Sequence, residues 1–214
     1  MYNIEMGLPF WLRVPHRDKH WASHPRLLDW QGMMHRADQG LLLNERERTV
    51  MIFAAEDVYV DFTQPTDIDD LVGIYNSHPA FIECHLNRHA VTSDWMAKEV
   101  AATRAAGFWS CKVVGKFSDQ VLGLIDVRVD TETYLSLMMI HQSYAHQGIG
   151  QQVYDALEDY IRLRGSRVLR IDVVTGYDEH VQNFWMRNGF RVVKDITLDW
   201  NGLKHAVVMM LLSL

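Results

Sequence analysis

Gly148-Ile149-Gly150 is where residue type and spacing come nearest to a chemical device. Two glycines at alternate positions ahead of a helical pattern make a turn whose backbone N–H groups stand at the positive end of a helix dipole. That is a site for a phosphate or pyrophosphate. Two other phosphate-binding devices do not fit. A P-loop needs Lys-Ser/Thr after the second glycine, and Gln151-Gln152 follows here. A dinucleotide-binding turn needs a third glycine early in a parallel sheet. The plain alternative is a glycine-eased turn with no ligand. His16, His20 and His24 are spaced i, i+4, i+8, which on a helix would be metal-ligand geometry. Pro15 and Pro25 bracket that run and no carboxylate lies in register, so no metal is expected. Cys84 and Cys111 are too far apart for a metal-binding pair and too few for a disulfide framework. Free thiols in a reducing compartment, by default the cytoplasm, are expected.

The elements that must position the glycine turn are legible around it. Tyr134–His141 is mostly apolar and strand-like. After the turn, Val153, Leu157, Tyr160 and Ile161 share one helical face, while Gln151, Gln152, Asp155, Glu158, Asp159 and Arg162 take the other. Gly165 suits the helix stop. A strand at Val168–Val174 then completes a βαβ crossover, so it should run parallel to the Tyr134 strand. Parallel neighbours can splay at their ends and open a cleft.

Upstream, Val58–Phe62 alternates as a strand, and Thr66 begins a helix through about Ser77 that Pro79 ends. Ser93 caps a second helix through Ala106, and Gly107 closes it. Phe108–Lys116 and Gln120–Val129 form a hairpin. Downstream come a helix from about Asp178 to Arg187 and two strands, Arg191–Asp199 and Lys204–Leu212, joined at Asn201-Gly202, a hairpin dipeptide. From residue 57 the order is β α α β β β α β α β β. That order predicts an α/β (α+β) fold with a mixed, mostly antiparallel central sheet flanked by helices, and one splayed parallel junction.

The first 50 residues differ, carrying Trp11, Trp21 and Trp30 among seven tryptophans and four of eleven histidines. A helix from Ser23 to Ala37 and short strands at Leu41–Leu43 and Thr49–Ala54 are expected. With 214 residues, 48% hydrophobic and 22% charged, the chain has a globular composition. A net charge of −6 with no long basic run argues against a nucleic-acid surface. The N-terminus lacks a signal-peptide pattern. Ala206–Leu214, the most apolar segment, is far short of the ~20 residues that span a bilayer as a helix, so no membrane is expected.

A second marker lies downstream at Asn183–Phe190 (NFWMRNGF), an amphipathic helix ending in Gly-Phe. Together with the strand–turn–helix and the following strand, it resembles the GNAT superfamily of acyl-CoA N-acyltransferases. The resemblance covers residues 57–214 in element order and concentrates in 135–190. It divides the chain into an extension at 1–55, packed on the core, and an acyltransferase domain at 56–214. It implies that the turn Ala145–Gly150, matching an Arg/Gln-x-x-Gly-x-Gly/Ala motif, holds the pyrophosphate of acetyl-CoA. The cofactor site it implies comprises Met139, Ile140, Gln142, His146, Gln147, Gly148, Ile149, Gly150, Gln151 and Trp185, with no metal. The backbone N–H around Met139–Ile140, assigned to Ile140, would polarise the thioester carbonyl.

This chain departs from that pattern. Ala145 stands where the motif has Arg or Gln, Asp178 where asparagine is common, Val181 for alanine, and Trp185 where a tyrosine commonly serves as general acid. An indole N–H is not a usable proton source, so Trp185→Tyr would restore a phenol. Tyr144, Tyr177 and His180 are candidate replacement acids. Phe81, Glu83, His85, His89 and Trp109 could line the acceptor side, with Glu83 as a base or cation anchor. The implied activity is direct transfer of an acetyl group to a primary amine on a small molecule or peptide. A non-catalytic acyl-CoA-binding or regulatory module is the alternative, and a domain that has lost coenzyme A is a third. Padding the sheet, covering the acceptor cleft and a homodimer contact are roles that fit the extension.

Overall fold

Alternation in Val58-Tyr59-Val60-Asp61-Phe62 puts Val58 and Val60 in the core and begins a sheet that accounts for most of the architecture. The computed structural model describes residues 51–200 and 202–214. The expected Ser23–Ala37 helix, the Leu41–Leu43 strand, the three-histidine run and the packing of the first 50 residues lie outside them. In order, the elements are β1 (Phe53–Ala54), β2 (Val58–Phe62), α1 (Ile68–Asn76), α2 (Pro79–Leu86), α3 (Ser93–Ala105), β3 (Trp109–Gly115) and β4 (Val121–Arg128). They continue with β5 (Glu132–Ile140), α4 (Ile149–Leu163), β6 (Val168–Val174), α5 (Glu179–Arg187), β7 (Arg191–Trp200) and β8 (Leu203–Ser213). The sheet order is β1-β2-β3-β4-β5-β6-β8-β7. Every pairing is antiparallel except β5 with β6. The mixed sheet with one parallel junction is therefore as the element order predicts.

Helices cover both faces. On one, α4 buries Val153, Tyr154, Leu157 and Ile161 against Val58, Val113, Ile125 and Leu169. Each such side chain contributes about 1.5–3 kcal/mol of gross burial energy. Periodicity had placed Tyr160 in this stripe. It is half-buried instead, beneath the rings of Phe53 and Trp109, while Tyr154 is fully buried. On the other face, Leu71, Ile74, Tyr75, Ile82, Met96 and Val100 of α1–α3 pack on Leu124 and Met139.

Two local expectations are corrected. Pro79 ends α1 but also opens an unexpected helix, α2, because a proline in the first turn lacks only an N–H that would have no intrahelical partner. The cap of α3 is Thr92 rather than Ser93: its hydroxyl accepts from the Trp95 N–H at 3.3 Å, while the Ser93 hydroxyl donates to Asp69 at 2.6 Å. Either hydroxyl could cap from sequence, and the tertiary partner on α1 decides.

Candidate active site

Strands β5 and β6 pair over three residues only, Glu132–Tyr134 with Val168–Arg170. Beyond that, Leu135–Ile140 and Ile171–Val174 diverge as facing walls of a cavity of about 770 Å³. The divergence has a local cause. Register between β4 and β5 slips at Ser136, which is inserted between Leu135 and Leu137, and its hydroxyl donates to the Asp126 carbonyl at 3.0 Å. A bulge bends its strand, and this one lies two residues past the last β5–β6 pair. At the foot of the cleft, the Tyr134 hydroxyl crosses to Asp172 at 3.0 Å, and the Arg170 guanidinium grips the same carboxylate at 2.8 and 3.1 Å.

The open edge of β5 is held from the α1–α2 joint. The His78 Nε2 lies 2.7 Å from the Ile140 carbonyl, which only accepts, so that nitrogen carries the proton. The Gln142 N–H donates to the Ser77 hydroxyl at 3.1 Å. In an antiparallel ladder, bonded and non-bonded pairs alternate. The His141 N–H donates to the Leu122 carbonyl, so the Gly123–Ile140 pair is the non-bonded kind. The Ile140 N–H consequently faces the open side, whereas Met139 turns its amide to β4.

Past β5 the chain makes a single 3₁₀ turn, Gln142–Tyr144, and enters the glycine loop. His146 (φ 60°) and Gly148 (φ 82°) both adopt left-handed backbone. A histidine there carries local strain, and such strain concentrates at binding loops. Gly148 caps α4, whose first internal bond runs from the Gln152 N–H to the Gly148 carbonyl. Among the described residues, the N–H groups of 146–151 have no acceptor. A Cβ on Gly148 would meet nothing within 4 Å, and one on Gly150 only the Ile140 side chain at 3.9 Å. Among the described residues, therefore, nothing crowds either glycine of the turn.

Of the expected cofactor residues, Met139, Ile140, Gln142, His146 and Trp185 line the cavity, and Ala145 lines it beside them. The Gln147 side chain turns back to the Ser143 carbonyl at 2.9 Å, and Gln151 is tied to Asp155 and Asn188 at 2.7 Å each, which leaves both with backbone amides to offer. Ile149 is buried. Trp185 is 7% exposed and contacts the rings of Tyr154, Phe184 and Phe190, so it serves the core as well as the cleft wall.

Of the candidate acids, Tyr177 and His180 line the cleft, but Tyr144 does not: its hydroxyl donates to Gln120 at 3.0 Å beside a separate surface depression. Burial pushes the Tyr177 phenol up to about 12, with Asp178 adding to it. Of the expected acceptor residues, Phe81 and His85 line the cavity. Glu83 and His89 are exposed on the outer surface of α2 and the loop after it, and Trp109 packs on the α4 side against Phe62 and Tyr160. Sequence reasoning missed His78, Tyr134, Asp172 and Trp200. No spacing rule connects them, because they converge only through the sheet. No group of three or more His, Cys, Asp or Glu among the described residues could hold a metal, and no helix among them is long and apolar enough to cross a membrane.

The sequence matches no curated protein. Among solved structures, the chain is similar to an acetyltransferase from Thermus thermophilus, at 17% identity over 75% of this chain and 99% of that one, with a TM-score of 0.61. It is similar to a GNAT-family acetyltransferase from Bacillus anthracis at 10% identity, 75% and 97% coverage, and a TM-score of 0.62. A candidate acetyltransferase from Salmonella typhimurium, solved with its cofactor acetyl-CoA, matches at 16% identity, 74% and 94% coverage, and a TM-score of 0.54. These likenesses speak to the fold. The model of the acetyltransferase (GNAT) family matches residues 72–190, more than half of the chain, from within α1 through the splayed strands and the glycine turn to the Gly-Phe after α5. By that match the chain belongs to the GNAT acetyltransferase family.

Proposed function

We propose that this GNAT-family protein transfers an acetyl group from acetyl-CoA directly to a primary amine. The observation that carries the reading is the row of amides at 146–151, without acceptors among the described residues, set beside a cleft that the Ile140 N–H faces. The residues present fit coenzyme A. Among the described residues nothing crowds Gly148 or Gly150, so their cradle suits a pyrophosphate at the helix N-terminus. The gap between β5 and β6 accepts an extended arm that can bond to strand backbone. Met139, Ile140, Gln142, His146, Trp185 and the amides of Gln147, Gly148, Ile149, Gly150 and Gln151 are the binding residues we assign.

Acetyl-CoA supplies an activated thioester. The Ile140 N–H is positioned by β4 to donate to the carbonyl oxygen as negative charge develops on it. The cleft walls align a neutral amine, whose nitrogen forms the C–N bond as the C–S bond breaks. The proton lost by nitrogen balances the one gained by sulfur, giving an amide and a free thiol. A phenol near 12 is a weaker acid than a thiol near ~8.5. Tyr177 therefore acts as a hydrogen-bond donor to the departing sulfur and not as a full proton source. Residues 56–214 form the acyltransferase unit on this reading. The free thiols at Cys84 and Cys111 fit a reducing compartment such as the cytoplasm.

Gly150→Asp tests the pyrophosphate assignment. A carboxylate in the first turn favours the α4 dipole and leaves the apoprotein folded, yet it repels an anion at the same amides. Titration calorimetry should show acetyl-CoA affinity falling by at least about a hundredfold; unchanged affinity in the folded variant would exclude this site. Thiol release with acetyl-CoA and a wide panel of amines tests transfer itself. Binding without turnover on any amine would favour the non-catalytic acyl-CoA-binding alternative.

A further inference from the structure

The two halves of the sheet meet at a narrow seam. Strand β5 pairs with β4 at six positions and β6 with β8 at seven, but β5 and β6 share only three, ending at Tyr134 and Arg170. One step further along that register, Asp172 would face Ser136. Ser136 is the bulged residue, and its hydroxyl goes to the Asp126 carbonyl instead. The Tyr134 hydroxyl fills the missing step by donating to the Asp172 Oδ2 at 3.0 Å. Ring and carboxylate are held from opposite sides of the seam. Phe108, which leads into β3, meets the Tyr134 ring edge-on at 5.6 Å, and the Arg128 guanidinium at the end of β4 covers Phe108 at 5.0 Å. On β6, Arg170 grips both carboxylate oxygens, and its guanidinium lies 4.9 Å from the Tyr134 ring centre. The Asp172 side chain is 5% exposed, so the charge-assisted bond from Tyr134 is little screened by solvent.

We propose that Tyr134 is a positioning residue: its hydroxyl, bound to Asp172, fixes the angle at which β6 leaves β5 and so the width of the gap that receives the pantetheine arm of coenzyme A. The inference rests on the acetyltransferase reading and adds to it a residue that acts through the cleft wall. Asp172, Val173 and Val174 form that wall on β6. Strands rise about 3.3 Å per residue, so Val174 stands about 13 Å beyond Arg170. A turn of about 5° at the foot therefore moves Val174 by about 1 Å, a shift large enough to loosen the hold on a bound arm. The pyrophosphate end is insulated from such a shift. Its glycine turn follows β5 and heads α4, and no part of it belongs to β6.

The test is titration calorimetry with two ligands, acetyl-CoA and adenosine 3′-phosphate 5′-diphosphate, which keeps the nucleotide and pyrophosphate but lacks the arm. In Tyr134→Phe the ring contacts and the Arg170–Asp172 pair remain, and the bond across the seam is lost. Acetyl-CoA affinity should fall about threefold to tenfold, the range for one hydrogen bond, while affinity for the armless nucleotide stays within about twofold of wild type. Global loosening of the fold would weaken both ligands alike. Arg170→Lys, which keeps a charge beside Asp172 but not the two-pronged grip, should show the same selective loss. Equal losses for both ligands, or no loss for either, would overturn the inference and leave the acetyltransferase reading standing. Failure of the wild-type protein to bind acetyl-CoA would overturn both.

Discussion

Trp185 shows how one residue can be misjudged when only its position in a motif is considered. Beside a family in which a tyrosine commonly stands there, Trp185→Tyr suggests a gain, since it restores a phenol. The structure gives the indole another task. It is buried and wedged edge-on between Tyr154, Phe184 and Phe190 at centroid separations of 4.9–5.7 Å. A smaller ring leaves a void among aromatic neighbours, and voids cost both transfer energy and contacts. Trp185→Tyr is therefore expected to lower stability by about 1–2 kcal/mol, and Trp185→Ala by about 3–5 kcal/mol. Both should appear as loss of denaturation midpoint, and the alanine variant, which also removes part of the cleft wall, should weaken acetyl-CoA binding in the folded protein. A tyrosine variant of full stability and raised turnover would restore the phenol argument. His146 makes the converse case: an ordinary residue by type, it holds left-handed backbone in the binding loop. His146→Gly should relieve that strain, worth about 1 kcal/mol, without weakening acetyl-CoA binding if only the amide at 146 is used.

Elements were legible in proportion to how much of their cause is local. The β3–β4 and β7–β8 hairpins and helix α5 follow from periodicity and turn chemistry and are present at the expected places, and the α4 stripe is present with Tyr154 in place of Tyr160. Helix α2 is not legible in this way, because Pro79 reads from sequence as a stop. The bulge at Ser136 was invisible, since an inserted residue is defined by the partner strand and not by its own sequence. The clasp of Ser77 and His78 on β5 spans more than sixty positions and leaves no periodic trace. That clasp matters because β6 has left the β5 edge, and the α1–α2 joint stands in for it. A hydrogen bond of this kind contributes about 0.5–1.5 kcal/mol. His78→Ala should thus weaken acetyl-CoA binding by roughly twofold to tenfold, with little change in the denaturation midpoint. His78→Gln, which can still donate to the Ile140 carbonyl, should recover most of the affinity. If Gln and Ala behave alike, the bond does not position the strand.

At the scale of the whole molecule, two ionisable groups buried against the helices on one face of the sheet set opposing pH dependences. Asp126 on β4 is 3% exposed, and its Oδ1 has no partner among the described residues. Burial pushes its carboxyl up to about 7, despite a hydrogen bond from Ser110 and the charge of Arg104. The folded state therefore holds a proton that the unfolded chain releases near 3.8, and stability falls as pH rises between those values. His85 acts in the other sense. Burial among Phe81, Tyr177, Trp200 and His205 lowers it to about 4, with the charge of His205 adding to the effect. The unfolded chain binds a proton below 6.5 that the folded state refuses, so this contribution is present above 6.5 and lost as pH falls toward 4. Between pH 4 and 6.5 the two slopes oppose each other, and the wild-type profile should be flatter there than either group alone would make it. Above 6.5 only the Asp126 slope remains, up to about 7. Asp126→Asn removes the cost of a buried carboxylate, which is at most about 4 kcal/mol, less whatever the new amide loses by finding no partner. Its stability should exceed wild type at pH 8, converge on it near pH 4, and rise more steeply with pH than wild type between 4 and 6.5, because the Asp126 slope no longer offsets that of His85. Denaturant titrations of both proteins at pH 4, 5.5, 7 and 8 would display the crossing. Parallel profiles would mean that Asp126 ionises in the folded protein as it does in the unfolded chain.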